Sequence, residues 1–358
     1  MKKLSCAPLK THVAYLLLFW VVVLHPLHAQ DYSFSQYQPL AAAFNPAAVA
    51  LAPYDGRAYL AHRSQWLAAE IPYAATLAGA EIRRDLRYRW LPNLGLGFML
   101  IDDNLGQSAL RNNWLMLSGN TFRYLDAARK HKITLGLSTG VRIMRIGAND
   151  FVFENQFNTV TQTFDRSRAS GEVFANNQML RWQLNSGLSY QWQVNDKFIL
   201  TTSGAFMNVN RPIEKFSTLP GIVGFKQQHR WVATLEAVYA ISSHFLIEPS
   251  LFLNRQGGAG EWLYGSWFNL NGRDAERLKL QLIPGVFFRD GSAVIPGLKV
   301  RYMSWEAAVT YDAVYGNINK VNTQPLIGGG LGTLEFSIQY LLLNRLKIKS
   351  YPKPCSTI

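Results

Sequence analysis

The sequence predicts an all-β fold: a closed antiparallel transmembrane β-barrel of about fourteen strands, with twelve or sixteen as the alternatives. Three observations point there. After residue 29 no run of 18 apolar residues occurs, so the chain lacks the ~20-residue segments that helical membrane proteins need. Apolar and polar residues instead alternate strictly over stretches about twice as long as an ordinary globular strand. The composition agrees, with 48% hydrophobic, 13% aromatic and only 16% charged residues, against ~25% charged in typical soluble domains. Such a chain is too apolar to be disordered.

Residues 1–29 read as a secretory leader. Lys2, Lys3 and Lys10 precede an apolar run from Val13 to Leu24, and Ala29 is a small residue at the expected cleavage position. Cys6 precedes the run rather than ending it, so a lipoprotein is not indicated. The chain carries a net charge of +13, three of whose lysines fall in the leader. For an exported protein the rest suit anionic lipid head groups or a polar pore lining, not nucleic acid. Only Cys355 remains beyond the leader, so no intramolecular disulfide is expected. Residues 30–54 are rich in Ala and Pro without alternation, and form a periplasmic arm or a segment folded into the barrel mouth.

Residues 55–342 hold the strands, expected at 55–65, 73–84, 93–103, 110–123, 131–146, 180–194, 197–208, 228–240, 243–254, 261–270, 278–289, 292–302, 304–315 and 332–342. The clearest is Trp182 to Val194, with Trp182, Leu184, Leu188, Tyr190 and Trp192 on one face and Gln183, Asn185, Ser189 and Gln191 on the other. Trp182 and Trp192 are ten residues apart on that face, or ~33 Å along a strand. Tilted, this projects to the ~25 Å apolar band between two aromatic girdles. Ile133, Leu135 and Leu137 alternate with Thr134, Gly136 and Ser138, Leu298 and Val300 with Lys299 and Arg301, and Leu334, Phe336 and Ile338 with Glu335, Ser337 and Gln339. Aliphatics would face lipid, while Gln183, Asn185, Arg142 and Lys299 face a polar lumen, where a cation at Asn185 would be tolerated better than one at Leu188. Long connections at 147–179, 209–227 and 316–331 would face outward and short ones such as Asn195-Asp196 inward, as in outer-membrane barrels. The tight Arg289-Asp290-Gly291 connection falls on the outward side and breaks this rule. A basic tail, 343–358, follows the last strand.

Little in the chain suggests catalysis. His62, His131, His229 and His244 show no metal-ligand spacing and read as girdle or lumen residues. Asp102-Asp103-Asn104 has too few oxygen donors for a calcium loop and reads as a polar turn. Gly95-Leu96-Gly97 and Gly328-Gly329-Gly330 lack the strand-to-helix context of a nucleotide loop, and mark curvature or close backbone approach.

A set of short motifs runs in order along the chain: Gln30-Asp31 with Phe34-Ser35-Gln36-Tyr37, then Phe44-Asn45-Pro46-Ala47, Arg63-Ser64-Gln65-Trp66, Leu94 to Gly97 with Asp103 to Gly106, Thr310-Tyr311-Asp312, and Gly332 to Ser337 around Glu335. Together they resemble the PorP/SprF membrane proteins of the type IX secretion system. Tyr32 departs from that pattern, standing where the family usually has proline, as does the tail beyond the last strand. The resemblance implies a Bacteroidota outer-membrane barrel without enzymatic activity or cofactor, acting with the secretion and gliding machinery and its periplasmic ring. It also implies a secreted adhesin-like protein, or its C-terminal secretion domain, as partner. The motif residues mark no known site. Arg63, Gln65, Tyr311 and Asp312 are candidates for lumen or rim polar contacts, against a plain role in the fold.

The function expected is therefore a non-enzymatic component supporting export or surface attachment of a partner. The alternatives are a passive pore for small solutes and a rim-sited lipid hydrolase. An open lumen would favour the pore, and a lumen filled by residues 30–54 the interaction protein. Phe151, Phe153, Phe157, Phe164 and Phe174 make the first long connection the candidate partner loop, with packing over the barrel mouth as the other reading.

Overall fold

The computed structural model describes residues 32–51, 54–66, 73–85, 93–105, 110–147, 152–169, 171, 178–214, 224–242, 244–270, 280–315 and 332–342. The leader, the basic tail, the connection 316–331 and residues 328–330 lie outside the described residues. Among the described residues eighteen strands are formed: β1 (Gly56–Gln65), β2 (Tyr73–Asp85), β3 (Asn93–Leu105), β4 (Leu110–Tyr124), β5 (His131–Ile146), β6 (Phe157–Asn158), β7 (Thr163–Phe164), β8 (Gln178–Gln193), β9 (Phe198–Met207), β10 (Ile213–Glu214), β11 (Phe225–Lys226), β12 (Arg230–Ala240), β13 (Leu246–Gln256), β14 (Ala259–Asn269), β15 (Leu280–Arg289), β16 (Ala293–Tyr302), β17 (Trp305–Val314) and β18 (Thr333–Leu342). Fourteen of them close into one antiparallel barrel, while β6–β7 and β10–β11 are two small hairpins outside it. The fourteen expected ranges agree with the barrel strands to within three residues at every end.

Closure occurs between β1 and β18, from Gly56 opposite Leu342 to Gln65 opposite Thr333. Every barrel strand thus has two neighbours and the barrel sheet has no free edge, which is what a sheet in hydrocarbon requires. Gly56 and Leu342 lie at one end, here the termini end. Ile146 and Gln178, Met207 and Arg230, and Val314 and Thr333, the strand ends that the long connections join, lie at the other, the loop end. The tight turn at 290–292, with Gly291 at φ +65°, is at the loop end as well. The fourteen-strand order therefore stands, and two loop-end hairpins are simply short, this one and the β13–β14 turn at Gly257-Gly258.

The outer face is apolar and banded. Leu100, Leu117, Leu135, Leu137, Leu188 and Leu235 are exposed along the middle. Trp182, Trp231, Trp262, Phe288 and Tyr311 ring the loop end, and Tyr124, Trp192, Tyr239, Trp305 and Tyr340 the termini end. Two aromatic belts around an aliphatic band match the two interfaces of a bilayer.

The inner face departs from the expected uniformly polar lumen. Gln183, Asn185, Arg142 and Lys299 are buried inside, but so are Leu77, Ile101, Phe252, Leu263, Ile283 and Ile295. These inward apolar residues pack in one cluster with Tyr32, Phe34, Tyr37, Leu40 and Phe44. The barrel's core is its lumen, and residues 32–51 fill it.

Candidate functional site

Residues 32–51 run through the lumen with one helical turn (Ala41–Phe44) and one 3-10 turn (Pro46–Ala48). Phe34, Tyr37, Leu40, Phe44, Ala47 and Val49 are all 1% exposed or less. Tyr37 stacks on Phe252 at 4.6 Å, and Phe44 meets the same ring edge-on at 5.2 Å. Arg230, buried on β12, lies over the Tyr32 and Phe44 rings at 5.2 and 5.3 Å, a cation–π contact strengthened by desolvation.

At mid-barrel the segment presses against the wall. Gly136 and Gly187 face each other across β5 and β8. A Cβ on Gly187 would sit 1.9 Å from the Asn45 side-chain oxygen, and one on Gly136 would sit 2.3 Å from the Ala47 nitrogen. The paired glycines are the dent that admits Asn45-Pro46-Ala47. Asn45 Nδ2 donates to the carbonyls of Leu188 and Gly204 at 3.3 and 3.4 Å, while its Oδ1 accepts from Ala47 N at 2.9 Å. Asn120 Nδ2 in turn donates to the carbonyls of Ala47 and Val49 at 3.0 and 2.5 Å.

Toward the loop end the contacts become ionic. The Glu335 carboxylate accepts the backbone N–H of Ser35 at 2.8 Å and of Gln36 at 2.9 Å. Ser35 Oγ donates to Asp312 at 2.9 Å. The Gln36 amide donates to Thr310 Oγ1 at 3.1 Å and accepts from Ser337 Oγ at 2.5 Å. Arg289 spreads its guanidinium over Asp312 (2.6 Å), Glu261 (2.8 Å) and Ser35 Oγ (2.5 Å). Arg63 donates to the Ser33 carbonyl and to Gln65 Oε1, and its Nε lies 3.6 Å from Glu335. Ser33 Oγ donates to Glu261 at 2.7 Å. Asp312 and Glu335 are 0% and 1% exposed, and charges that deep persist because they are paired and hydrogen-bonded.

Motif residues from both ends of the sequence thus meet: Phe34 to Tyr37 and Asn45-Pro46 belong to the lumen segment, and Arg63, Asp312 and Glu335 to the wall that holds it. Two motif residues lie elsewhere. Tyr311, read as a lumen or rim contact, turns to the outer face by the strand's alternation and packs beside Gly332. Trp66 caps β1 with φ +58° and meets Tyr73 edge-on at 4.9 Å. Sequence reading missed Arg289, Glu261, Arg230 and the Gly136–Gly187 pair, which lie in strands whose alternation shows a face but not what occupies it.

A second inward cluster secures the termini end. Tyr54 donates to Glu81 at 2.5 Å, and burial raises the tyrosine pKa well above its usual value. Arg57 bonds Glu81 and, at 2.9 Å, Gln339, which donates to Glu306 at 2.6 Å. These groups cross the β1–β18 seam where the barrel closes.

Above the segment, at the loop end, lies a cavity of about 470 Å³ lined by Tyr32, Ser33, Arg63, Trp66, Glu261 and Arg289 among others. Beyond it Phe157 and Phe164 pack edge-to-face at 5.1 Å across the β6–β7 hairpin. Phe164 and Val160 remain 56% and 89% exposed there, and Phe225 on the other hairpin 81%. Phe153 opens the 3-10 turn before β6; Phe151 and Phe174 lie outside the described residues.

The other candidates for chemistry are dispersed. Asp102 pairs with Arg111 at 2.7 Å while Asp103 points inward, so alternation separates them. Among the described residues no three His, Cys, Asp or Glu side chains converge as a metal site. His62 is on the outer face with Thr76 and Ser64, His131 stacks with Tyr190 and Trp192, and His229 bonds the Asn208 carbonyl.

Solved structures similar in fold include the Ralstonia pickettii toluene transporter TbuX (10% identity, 85% of this chain and 94% of that one, TM-score 0.49). A Pseudomonas aeruginosa FadL homologue (10%, 84% and 94%, TM-score 0.48) and the CymD monoaromatic hydrocarbon channel (11%, 89% and 95%, TM-score 0.47) are alike to the same degree. At that distance no residue role is carried across. No curated protein matches the chain. The model of the type IX secretion system membrane protein family PorP/SprF matches residues 27–326, a span that includes the lumen segment and its Arg63, Arg289 and Asp312 anchors, and the chain belongs to that family.

Proposed function

We propose that this secretion-system membrane protein catalyses nothing itself and supports export or surface attachment of a partner protein, which it meets at the loop end. The observation that carries this reading is the filled lumen. A passive pore needs a continuous wet path, whereas residues 32–51 pack into the barrel and are held by buried ion pairs and hydrogen bonds. The exposed Phe164, Val160 and Phe225 supply an apolar surface of the kind that a partner covers. A secreted adhesin-like protein or its C-terminal secretion domain is the partner this reading favours, with periplasmic ring components at the termini end, in an outer membrane reached after cleavage near Ala29. A role in gliding motility and a Bacteroidota source belong to the same reading. Against a rim-sited lipid hydrolase, His62 bonds hydroxyls on the lipid side, and none of its bonds is to a carboxylate.

Deletion of the gene tests the proposal. General outer-membrane permeability is expected to stay intact while one particular secreted protein disappears from the cell surface. Loss of uptake of a small solute with secreted proteins unchanged would replace this reading with the pore.

A further inference from the structure

Among the described residues Arg230, at the start of β12, is the most deeply buried cation, 1% exposed. Alternation turns it inward while Trp231 beside it turns outward. Its surroundings neutralise little of its charge. Nε donates to Asn254 Oδ1 at 2.8 Å, and the guanidinium lies over the Tyr32 and Phe44 rings. Nη1 and Nη2 are buried and have no hydrogen-bond partner. The carboxylate of Glu261, across from Asn254 on β14, is taken up by Arg289 and Ser33. A buried guanidinium carries a heavy desolvation cost, and each donor left unmet adds to it.

Arg230 borders a cavity of about 10 Å³ that has Tyr32, Ala43 and Pro46 of the lumen segment on one side and Trp114, Ser138 and Asn185 of the wall on the other. That volume suits one guest the size of a water molecule. The described residues that line it include no carboxylate. Asn185 Oδ1 accepts from the Asn208 N–H at 2.9 Å, and Asn208 Oδ1 from Gln183 Nε2 at 3.1 Å, so these two carbonyls are engaged. Ser138 Oγ accepts from Asn185 Nδ2 at 3.0 Å, which leaves its own proton to donate. A water gives hydrogens as well as accepting them. This cavity offers donors on a cation, which suits a guest that only accepts.

We propose that this cavity binds a single monatomic anion of the halide class, with chloride the common member, held by the Arg230 Nη groups and the Ser138 hydroxyl. Such a site operates whatever partner the loop end meets. Charge-assisted N–H bonds to the anion satisfy the orphan donors and neutralise the guanidinium where water does not reach. A tetrahedral oxyanion such as sulfate exceeds the cavity, so size sets the selectivity. Because the lumen segment supplies part of the lining, the site exists only while residues 32–51 are in the barrel, and the anion stabilises that filled state by mass action. Tyr32 lines both this cavity and the larger one at the loop end, and is the side chain an entering ion passes.

Urea titrations of the refolded protein in lipid vesicles test this, run in sodium chloride, sodium bromide and sodium gluconate at equal ionic strength. Chloride and bromide are expected to raise the unfolding midpoint over gluconate in a saturable way. At about ten times the dissociation constant the ratio of folded to unfolded protein should rise about tenfold. Arg230→Gln, which removes the charge, is expected to lose that dependence. Equal midpoints in chloride and gluconate for the wild type would overturn the proposal. So would a salt effect that never saturates and persists in Arg230→Gln, the mark of a general action of salt on the surface. Should Arg230→Gln fail to fold, crystals of the wild type grown in bromide decide. An anomalous peak within bonding distance of the Arg230 Nη groups, alongside the saturable midpoint shift, sustains the site, and no peak there overturns it. A peak without any shift in solution would mark an adventitious ion only, and overturns it too.

Discussion

Glu335 does the work of a binding site whose ligand is the protein's own backbone. Its carboxylate satisfies two consecutive N–H groups in a place water does not reach, and removing it would orphan both and take the carboxylate from beside Arg63, which keeps its bonds to Ser33 and Gln65. Glu335→Ala should destabilise the folded barrel by about 3–5 kcal/mol, the range for breaking a buried pair, with Glu335→Gln costing clearly less, as read from urea titrations of the refolded protein in lipid. Gly187→Val should act from the opposite wall. A branched side chain there meets Asn45 well inside van der Waals contact, so the lumen segment must shift. Limited proteolysis should then cut between residues 32 and 51 in the variant and leave the wild type intact; equal protection would show that the dent is unimportant. At this scale the motif residues were visible in the sequence but their roles were not. A glutamate on a polar face looks the same whether it borders water or grips a peptide, and Arg289 and Glu261 look like ordinary lumen charges.

The strands themselves were legible because a bilayer imposes period 2 on each one, and their ends fell within three residues of expectation. Residues 32–51 were not legible for the complementary reason. A segment surrounded by protein on all sides has no wet face, so it has no period. The same fact corrects an expectation for β8. Asn185 was expected to tolerate a cation better than Leu188 in a wet lumen, but its side chain bonds Ser138 at 3.0 Å and the Asn208 N–H at 2.9 Å and is 3% exposed. Leu188→Arg should cost ~2–4 kcal/mol for a cation near the bilayer midplane, and Asn185→Arg should now also impair folding because it breaks those bonds and overfills the site. Heat-modifiable migration on gels reports both. An Asn185→Arg barrel as stable as wild type would mean that the lumen near β8 is wet after all.

For the whole molecule, closure and filling belong together. An antiparallel barrel shut at β1–β18 has no edge to offer a partner, and its lumen is packed with Phe34, Tyr37, Leu40 and Phe44. On the function proposed above, recognition falls to the loop end, with its cavity and its exposed phenylalanines. The measurement that tests this account most directly is ion conductance of the purified protein in planar lipid bilayers. The wild type should insert without opening a steady channel, and a variant lacking the anchors, Asp312→Ala with Glu335→Ala, should become leaky as residues 32–51 come loose. A steady, porin-like conductance from the wild type, unchanged in that variant, would contradict it.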